Sequence, residues 1–477
     1  GVAGPDPAGR TWEIGGPPHF TGPTVPMAEP RSTIADPAAA GISRRKVLFG
    51  ASGAAAVVLG GGAAAWATLA KGGSGGSSGG SSAGPDGHGS SSGTGSLAAA
   101  GTSASQSPSS SAAAPTTVLD AASVPSAAPA WTQNVPSQVA LLAIAGQTAV
   151  CIGSEVTFLG PDGKTRFPPL NYSTLGTTAQ PTVSGTMVYS VLIPVATFDL
   201  QVVAIDTSVG KAAWTFTPAA SDGLTDTVWA VGDGLYLSGM ESTDTGANRH
   251  GFVTALDAKR NQLWRVAGKD IVNVLVPPGG TRWLAASQPN ETTLQVQVRD
   301  AAAKGAGGWK DTVPTDGYLS SAKTEFAYAS GKFVYGSSQL IAADAQTGAH
   351  AWTFKGVVAD EQFGAPLASP DGKTVYVAGF SHLYALDAAT GAPRWIARLT
   401  AANQSFSTTN PMKIADGNLY VSDIAQNIWA LAADTGKARW KFSDPRQSGS
   451  NLIFDAGGGR LYSVAGRLVT AVNATGR

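Results

Sequence analysis

The chain reads as all-β, an eight-bladed β-propeller of four-stranded blades, and three observations predict this. A turn phrase recurs, most completely as Ala343-Asp344-Ala345-Gln346-Thr347-Gly348-Ala349-His350-Ala351-Trp352 and, 43 residues on, Leu386-Asp387-Ala388-Ala389-Thr390-Gly391-Ala392-Pro393-Arg394-Trp395. Short runs of alternating apolar residues precede it, such as Thr374-Val375-Tyr376-Val377-Ala378 and His382-Leu383-Tyr384-Ala385-Leu386, which read as half-buried strands. The repeating region opens on a tryptophan segment, Pro129-Ala130-Trp131-Thr132-Gln133, with no phrase before it, and closes on a phrase with no tryptophan after it.

Charge and composition place this fold in the C-terminal part. The 477 residues carry 32 basic and 32 acidic side chains, 6 of each within residues 1–130 and 26 of each beyond. Neutrality in both parts removes any electrostatic case for nucleic acid as a partner. Glycine is about one residue in eight without a Gly-X-Y period, which points to low-complexity sequence or to many tight turns. Of the 60 glycines, 24 lie in residues 1–130, whereas 10 of the 12 tryptophans lie beyond.

Residues 1–42 hold eight prolines before Gly41 and are expected to be disordered, since each proline fixes φ and removes a donor. Gly1 in place of Met reads as a processed or truncated chain. In residues 43–70, Ser43-Arg44-Arg45-Lys46 precedes an uncharged run from Val47 to Ala70. As a helix this run would extend roughly 36 Å, enough for a bilayer core. It reads either as a single-pass anchor, cytoplasmic at the basic end, or as a twin-arginine export signal cleaved near Ala65-Trp66-Ala67. Either way the C-terminal part is expected outside the cytoplasm, and no cysteine follows the run to carry a lipid. Residues 71–130 are Gly, Ser, Ala, Thr and Pro with little else, and read as a flexible tether of roughly 40 Å reach.

The propeller is expected over residues 131–477. Weaker copies of the phrase pair Asp206 with Trp214, Asp257 with Trp264, Asp300 with Trp309, and Gly436 with Trp440, where Ala432 takes the Asp position. Pro161-Asp162-Gly163-Lys164 leads to Phe167 in place of Trp, and Asn473-Ala474-Thr475-Gly476 ends the series, making eight copies. The Asp (Asp344, Asp387 and their counterparts) is suited to accept from turn N–H groups, and the Gly to supply positive φ. The Trp (Trp352, Trp395) then packs between layers with its N–H on a carbonyl. The strand at Trp131 is expected to complete the last blade and close the ring. A seven-bladed ring with a surplus half-blade is the other count.

The phrase A-x-D-x-x-T-G-x-x-x-W, best at Ala342 to Trp352 and Ala385 to Trp395, resembles the repeat of the PQQ-like β-propeller family. That family includes outer-membrane assembly scaffolds and the extracytoplasmic propellers of actinobacterial Ser/Thr kinases. The order of proline-rich segment, Arg-Arg, Ala/Gly-rich span, tether and propeller is similar to the C-terminal portion of those kinases. The resemblance implies a sensing or scaffolding module; no kinase motif lies in this chain.

Quinoprotein dehydrogenases of the wider family use pyrroloquinoline quinone, calcium and a disulfide between adjacent cysteines. Cys151 stands alone, and no compact Glu/Asn/Asp set offers itself to calcium, so no cofactor and no enzymatic activity are expected. The repeated Asp and Trp residues read as structural, and His350, inside a phrase, as solvated. One departure from the period stands out: Asp206 to Asp257 spans 51 residues, with the excess at Met240 to His250. Insertions in repeat proteins gather on one face, often the binding face, so Glu241, Asp244, Arg249 and His250 are the candidate binding loop. A plain solvated hairpin is the competing reading. The function expected is an extracytoplasmic module binding a protein or a small ligand, tethered to the membrane through residues 47–70 or secreted. A secreted propeller oxidoreductase is the alternative.

Overall fold

The computed structural model describes residues 114–477, apart from 173, 178–180, 195–199, 219–223, 242–249, 270, 272, 278, 291, 315–325, 360, 401–404 and 448–451. The proline-rich segment, the candidate span at 43–70 and most of the tether therefore lie outside the described residues. Among those described, no helix is long and apolar enough to cross a membrane.

Among the described residues, eight sheets follow one another along the chain, six of them contiguous in sequence and two completed by a strand from the start of the domain. We number them blades 1 to 8: 141–171, 174–216, 224–268, 273–314, 327–354, 367–399, 413–442, and 453–473 with 131–134. Blade 8 takes its outermost strand from the start of the domain, Trp131–Asn134 pairing with Leu468–Asn473 so that Trp131 faces Ala471. The expected closure by Trp131 is thus observed, and the count is eight. Eight apolar clusters each lie between two consecutive blades, the one holding Val135, Cys151, Tyr462 and Val469 joining the last blade to the first. A linear stack of eight sheets has seven interfaces; the eighth shows that the ring is closed.

The phrase is an Asx turn joining the third and fourth strands. In blade 5, Asp344 Oδ1 accepts from Gln346 N at 3.0 Å, Thr347 N at 2.8 Å and Thr347 Oγ1 at 2.9 Å. In blade 6, Asp387 Oδ1 holds Ala389 and Thr390 in the same way. The tryptophan of one blade docks on the phrase of the next: Trp131 Nε1 donates to Pro161 O at 2.8 Å, Trp309 to Ala345 O at 3.2 Å, Trp352 to Ala388 O at 3.1 Å, Trp395 to Ala433 O at 3.0 Å and Trp440 to Ala474 O at 2.9 Å. The phrase glycine lies flat on that indole. A Cβ on Gly391, whose φ is +73°, would sit 2.6 Å from Trp352 Cδ2.

The degenerate copies solve the same problem differently. Phe167 of blade 1 takes the place of Trp beneath Gly210 of blade 2. In blade 3 the Asp257 turn is shorter, and Arg260 adopts φ 69° with its guanidinium 4.7 Å above the Trp214 ring. A cation on an aromatic face replaces the missing glycine contact. Trp264 stacks on Trp283 of blade 4, with centroids 6.0 Å apart and planes 11° from parallel.

One sequence expectation changes. Within the expected tether 71–130, Thr116–Leu119 is a strand pairing in parallel with the outer edge of blade 6, Thr116 opposite Ile396 and Leu119 opposite Leu399. A turn follows, with Ala122 N on Asp120 Oδ1 at 2.9 Å and Lys441 Nζ on Ala121 O at 2.7 Å. Lys441 N then donates to Pro125 O at 3.0 Å, and Ala127 N to Lys441 O at 2.8 Å. Residues 114–130 are therefore a strap along the outer edges of blades 6 and 7. Composition hid it because Leu119 and Val124 are too few to make a core and find their apolar partners on distant blades.

His350 is exposed, as expected, and makes one further contact. Its Nε2 lies 2.8 Å from Asp311 Oδ2 of blade 4, which also accepts from Tyr335 Oη at 2.6 Å. Burial works to raise the Asp311 pKa, but the hydrogen bonds from Tyr335 and His350 outweigh it and hold the carboxyl below its usual range. A group depressed in the folded state contributes stability above its unfolded pKa and loses it as pH falls through the folded value. Asp311→Asn is therefore expected to lower Tm at pH 7, and the gap to wild type to narrow below about pH 4. Melting curves from pH 7 to pH 3 test this; a gap constant across that range would refute it.

Candidate protein-binding face

Antiparallel pairing sorts the connections of each blade onto two faces. The links between first and second strands, and the phrases between third and fourth, fall on one face. The links between second and third strands, and those to the next blade, fall on the other. The phrases are committed to docking between blades. The opposite face carries no such duty.

The insertion singled out in the sequence joins the second and third strands of blade 3, so it belongs to this opposite face. Glu241 and His250 stand at its base: Glu241 N donates to His250 O at 2.9 Å, and His250 Nδ1 lies 3.8 Å from Glu241 Oε2. Arg265 Nη2 bonds Glu241 Oε1 at 2.7 Å while its guanidinium lies 5.1 Å over the Phe252 ring. Glu241 therefore braces its own blade. Asp244 and Arg249 lie outside the described residues.

Blades 5 to 7 show a second group on the same face that periodicity did not reveal. The link from blade 5 to blade 6 carries Glu361, whose side chain is only 1% exposed. Oε1 accepts from Ser381 Oγ at 3.1 Å and His382 N at 3.1 Å, and Oε2 accepts from Tyr384 Oη. Burial and the bond to Glu361 push the Tyr384 phenol far above its usual pKa, so it stays a donor at any physiological pH. Glycines at 356 and 379 make room for the carboxylate, and Phe354 and Phe363 each pack edge to face with Tyr384 beside it.

Serine, histidine and a carboxylate in contact invite comparison with a nucleophilic relay. The geometry does not support one. His382 Nδ1 meets Ser381 Oγ at 2.7 Å and also lies 3.6 Å from Glu361 Oε1, so both partners crowd one ring nitrogen. A relay needs nucleophile and acid on opposite nitrogens. The group is a stiff polar plug that sets the height of the adjoining turn.

What that turn presents is apolar. Phe380, at its tip, is 50% exposed, and Ile424, in the matching turn of blade 7, is 59% exposed. Val357 and Val358, in the link that enters blade 6, are 54% and 42% exposed. Phe406 N donates to Phe380 O at 3.2 Å and Ile424 N to Ser405 O at 3.0 Å, so one short backbone stretch holds both tips. A sequence signal existed in hindsight: the turn Gly379-Phe380-Ser381 puts an aromatic where a polar residue is usual.

Cys151 is buried and free, its thiol pushed up to about 12 by desolvation, which leaves it unreactive. Among the described residues, no group of three or more His, Cys, Asp or Glu comes together to hold a metal.

Residues 336–477, blades 6 to 8 and most of blade 5, match the family described as outer membrane protein assembly factor BamB. No curated protein matches the chain. Among solved structures, the computationally designed Ika8 protein is similar over 72% of this chain and 98% of its own, at 12% identity and a TM-score of 0.51. BamB from Moraxella catarrhalis is similar over 72% of this chain and 97% of its own, at 15% identity and a TM-score of 0.47. A quinohemoprotein alcohol dehydrogenase from Pseudomonas putida HK5 is similar over 73% of this chain and 76% of its own, at 14% identity and a TM-score of 0.45. With eight blades, a ring closed by Trp131–Asn134 and the Asp-to-Trp phrase latching blade to blade, the folded part of this chain is an eight-bladed β-propeller whose residues 336–477 are similar to the BamB family.

Proposed function

We propose that this chain is an exported propeller, tethered at the membrane, that binds a protein partner through the face carrying Phe380, Ile424, Val357 and Val358. The carrying observation is the exposure of these four apolar side chains on neighbouring blades, held by a backbone that leaves the tips little freedom. Exposed apolar residues grouped on one face mark interaction sites, whereas scattered ones do not. Export and tethering rest on the Arg44-Arg45 pair and the uncharged run at 47–70. A sensing or scaffolding role within a signalling protein is the corresponding biological reading. Non-enzymatic function is part of the same proposal.

Photo-crosslinking in the producing cell tests the binding face. Crosslinkers at positions 380 and 424 are expected to capture a partner. One at Val209, which is 52% exposed in a phrase on the other face, is expected to stay blank. Equal capture at all three positions would sink the assignment. The oxidoreductase alternative predicts redox-dye turnover by the purified chain on adding pyrroloquinoline quinone and calcium; turnover would overturn the binding reading.

A further inference from the structure

We propose that the strap and the binding face are energetically coupled, so that seating of residues 114–124 on blades 6 and 7 sets how firmly the Phe380 and Ile424 tips are held. The biological meaning rests on the binding-face reading above; the coupling itself does not.

Three links carry it. Leu119, 1% exposed, ends the strap's strand, and its carbonyl accepts Thr400 N at 3.1 Å. Thr400 closes the outer strand of blade 6 and leads, five residues on, to Ser405 and Phe406. The side chain of Leu119 also belongs to the same buried cluster as Phe406, Trp395, Met412 and Trp429, against which Ala121 and Val124 pack. Phe406 is fully buried, its N–H holds Phe380 O, and its neighbour Ser405 holds Ile424 N through a carbonyl. The strap thus contributes to the same buried cluster as Phe406, whose backbone and that of Ser405 position both tips.

A strap made of one four-residue strand and a turn is a unit that can leave while the ring stays closed, since the blade 8 closure is fixed separately by Trp131–Asn134. Undocking removes Leu119 from the buried cluster that also holds Phe406, and the 405–406 stretch is expected to loosen. By linkage, a partner that holds the tips in place would favour the seated strap by the same factor. The N-terminal chain attaches through the strap, so a pull on that chain would be felt at the binding face.

Amide hydrogen exchange on the full chain tests this without knowledge of any partner. The amides of Ile396 and Thr400, whose acceptors are Pro115 O and Leu119 O, report whether the strap is seated. The amides of Phe406 and Ile424 report the tips. In Leu119→Asp all four are expected to exchange about fivefold faster or more, with the blade 3 strand Gly251–Leu256 unchanged. Leu119→Ala should move the same amides in the same order by less, and it serves if the aspartate variant does not fold. Acceleration at Ile396 and Thr400 with none at Phe406 and Ile424 would overturn the coupling. If neither variant frees Ile396 and Thr400, Leu119 does not seat the strap and the proposal fails as well. Loss of the crosslinks at 380 and 424 would remove the binding reading while leaving this outcome untouched.

Discussion

Replacing Trp395 by alanine is expected to cost about 3–5 kcal/mol of folding stability, the range for emptying a large aromatic site in a core. Trp395 is 1% exposed, donates to Ala433 O at 3.0 Å in the next blade, and sits beneath Gly436. Its removal leaves a cavity between blades 6 and 7 and takes one of two hydrogen bonds from Ala433 O, which keeps the bond from Tyr376 Oη at 3.1 Å. The partner substitution Gly436→Ala attacks the same latch from the other side. It strains a residue at φ +68° and drives a methyl to 2.5 Å from Trp395 Cε3. The two should be clearly less than additive, because each breaks one shared contact. Chemical denaturation of the two single variants and the double tests both points; fully additive losses would show that the latch is not the unit described.

Deleting Trp131–Asn134 is expected to have the larger consequence for cooperativity. Blade 8 would keep three strands, Leu468–Asn473 would present an open edge, and the Trp131 bond to Pro161 that links the last blade to the first would vanish. The joint between blades 8 and 1 is left with the apolar cluster of Cys151, Tyr462 and Val469, and the ring is expected to open there into an arc. Terminal units of such an arc fray independently. The expected result is a broadened or multiphase transition, with early proteolysis within blades 1 and 8. A single sharp transition at the wild-type temperature would refute closure by this strand.

These expectations differ in how far the sequence alone supported them. The phrase from Asp344 to Trp352 names its own roles because a hydrogen-bonding Asp, a positive-φ Gly and a buried Trp are local demands that recur at a fixed spacing. The preference for eight blades over seven followed from that spacing and from the unmatched Trp131. The degenerate copies were legible in position and not in mechanism: nothing in Asp257-Ala258-Lys259-Arg260 announces that Arg260 will lie on Trp214. The insertion loop was legible as an interruption of the period. Its best-described residue, Glu241, proved to be paired with Arg265 of its own blade.

The strap and the Glu361 plug show the other limit. Leu119 is one of a few apolar residues in a run of Thr, Ala and Ser, and it is buried in a cluster with Trp395 and Phe406, nearly 300 residues away in the chain. Glu361, Ser381 and Tyr384 lie on two segments with no shared pattern, and only the link between blades 5 and 6 brings them together.

The sequence by itself determined the propeller and its latch, and left eight blades weighed against seven, because short-range turn chemistry repeats at a fixed period without showing where the ring closes. Only the tertiary structure decided which face is free, which apolar side chains it exposes, and where the N-terminal chain is fastened. Those are consequences of ring closure, which places residues distant in sequence side by side without leaving a period to read.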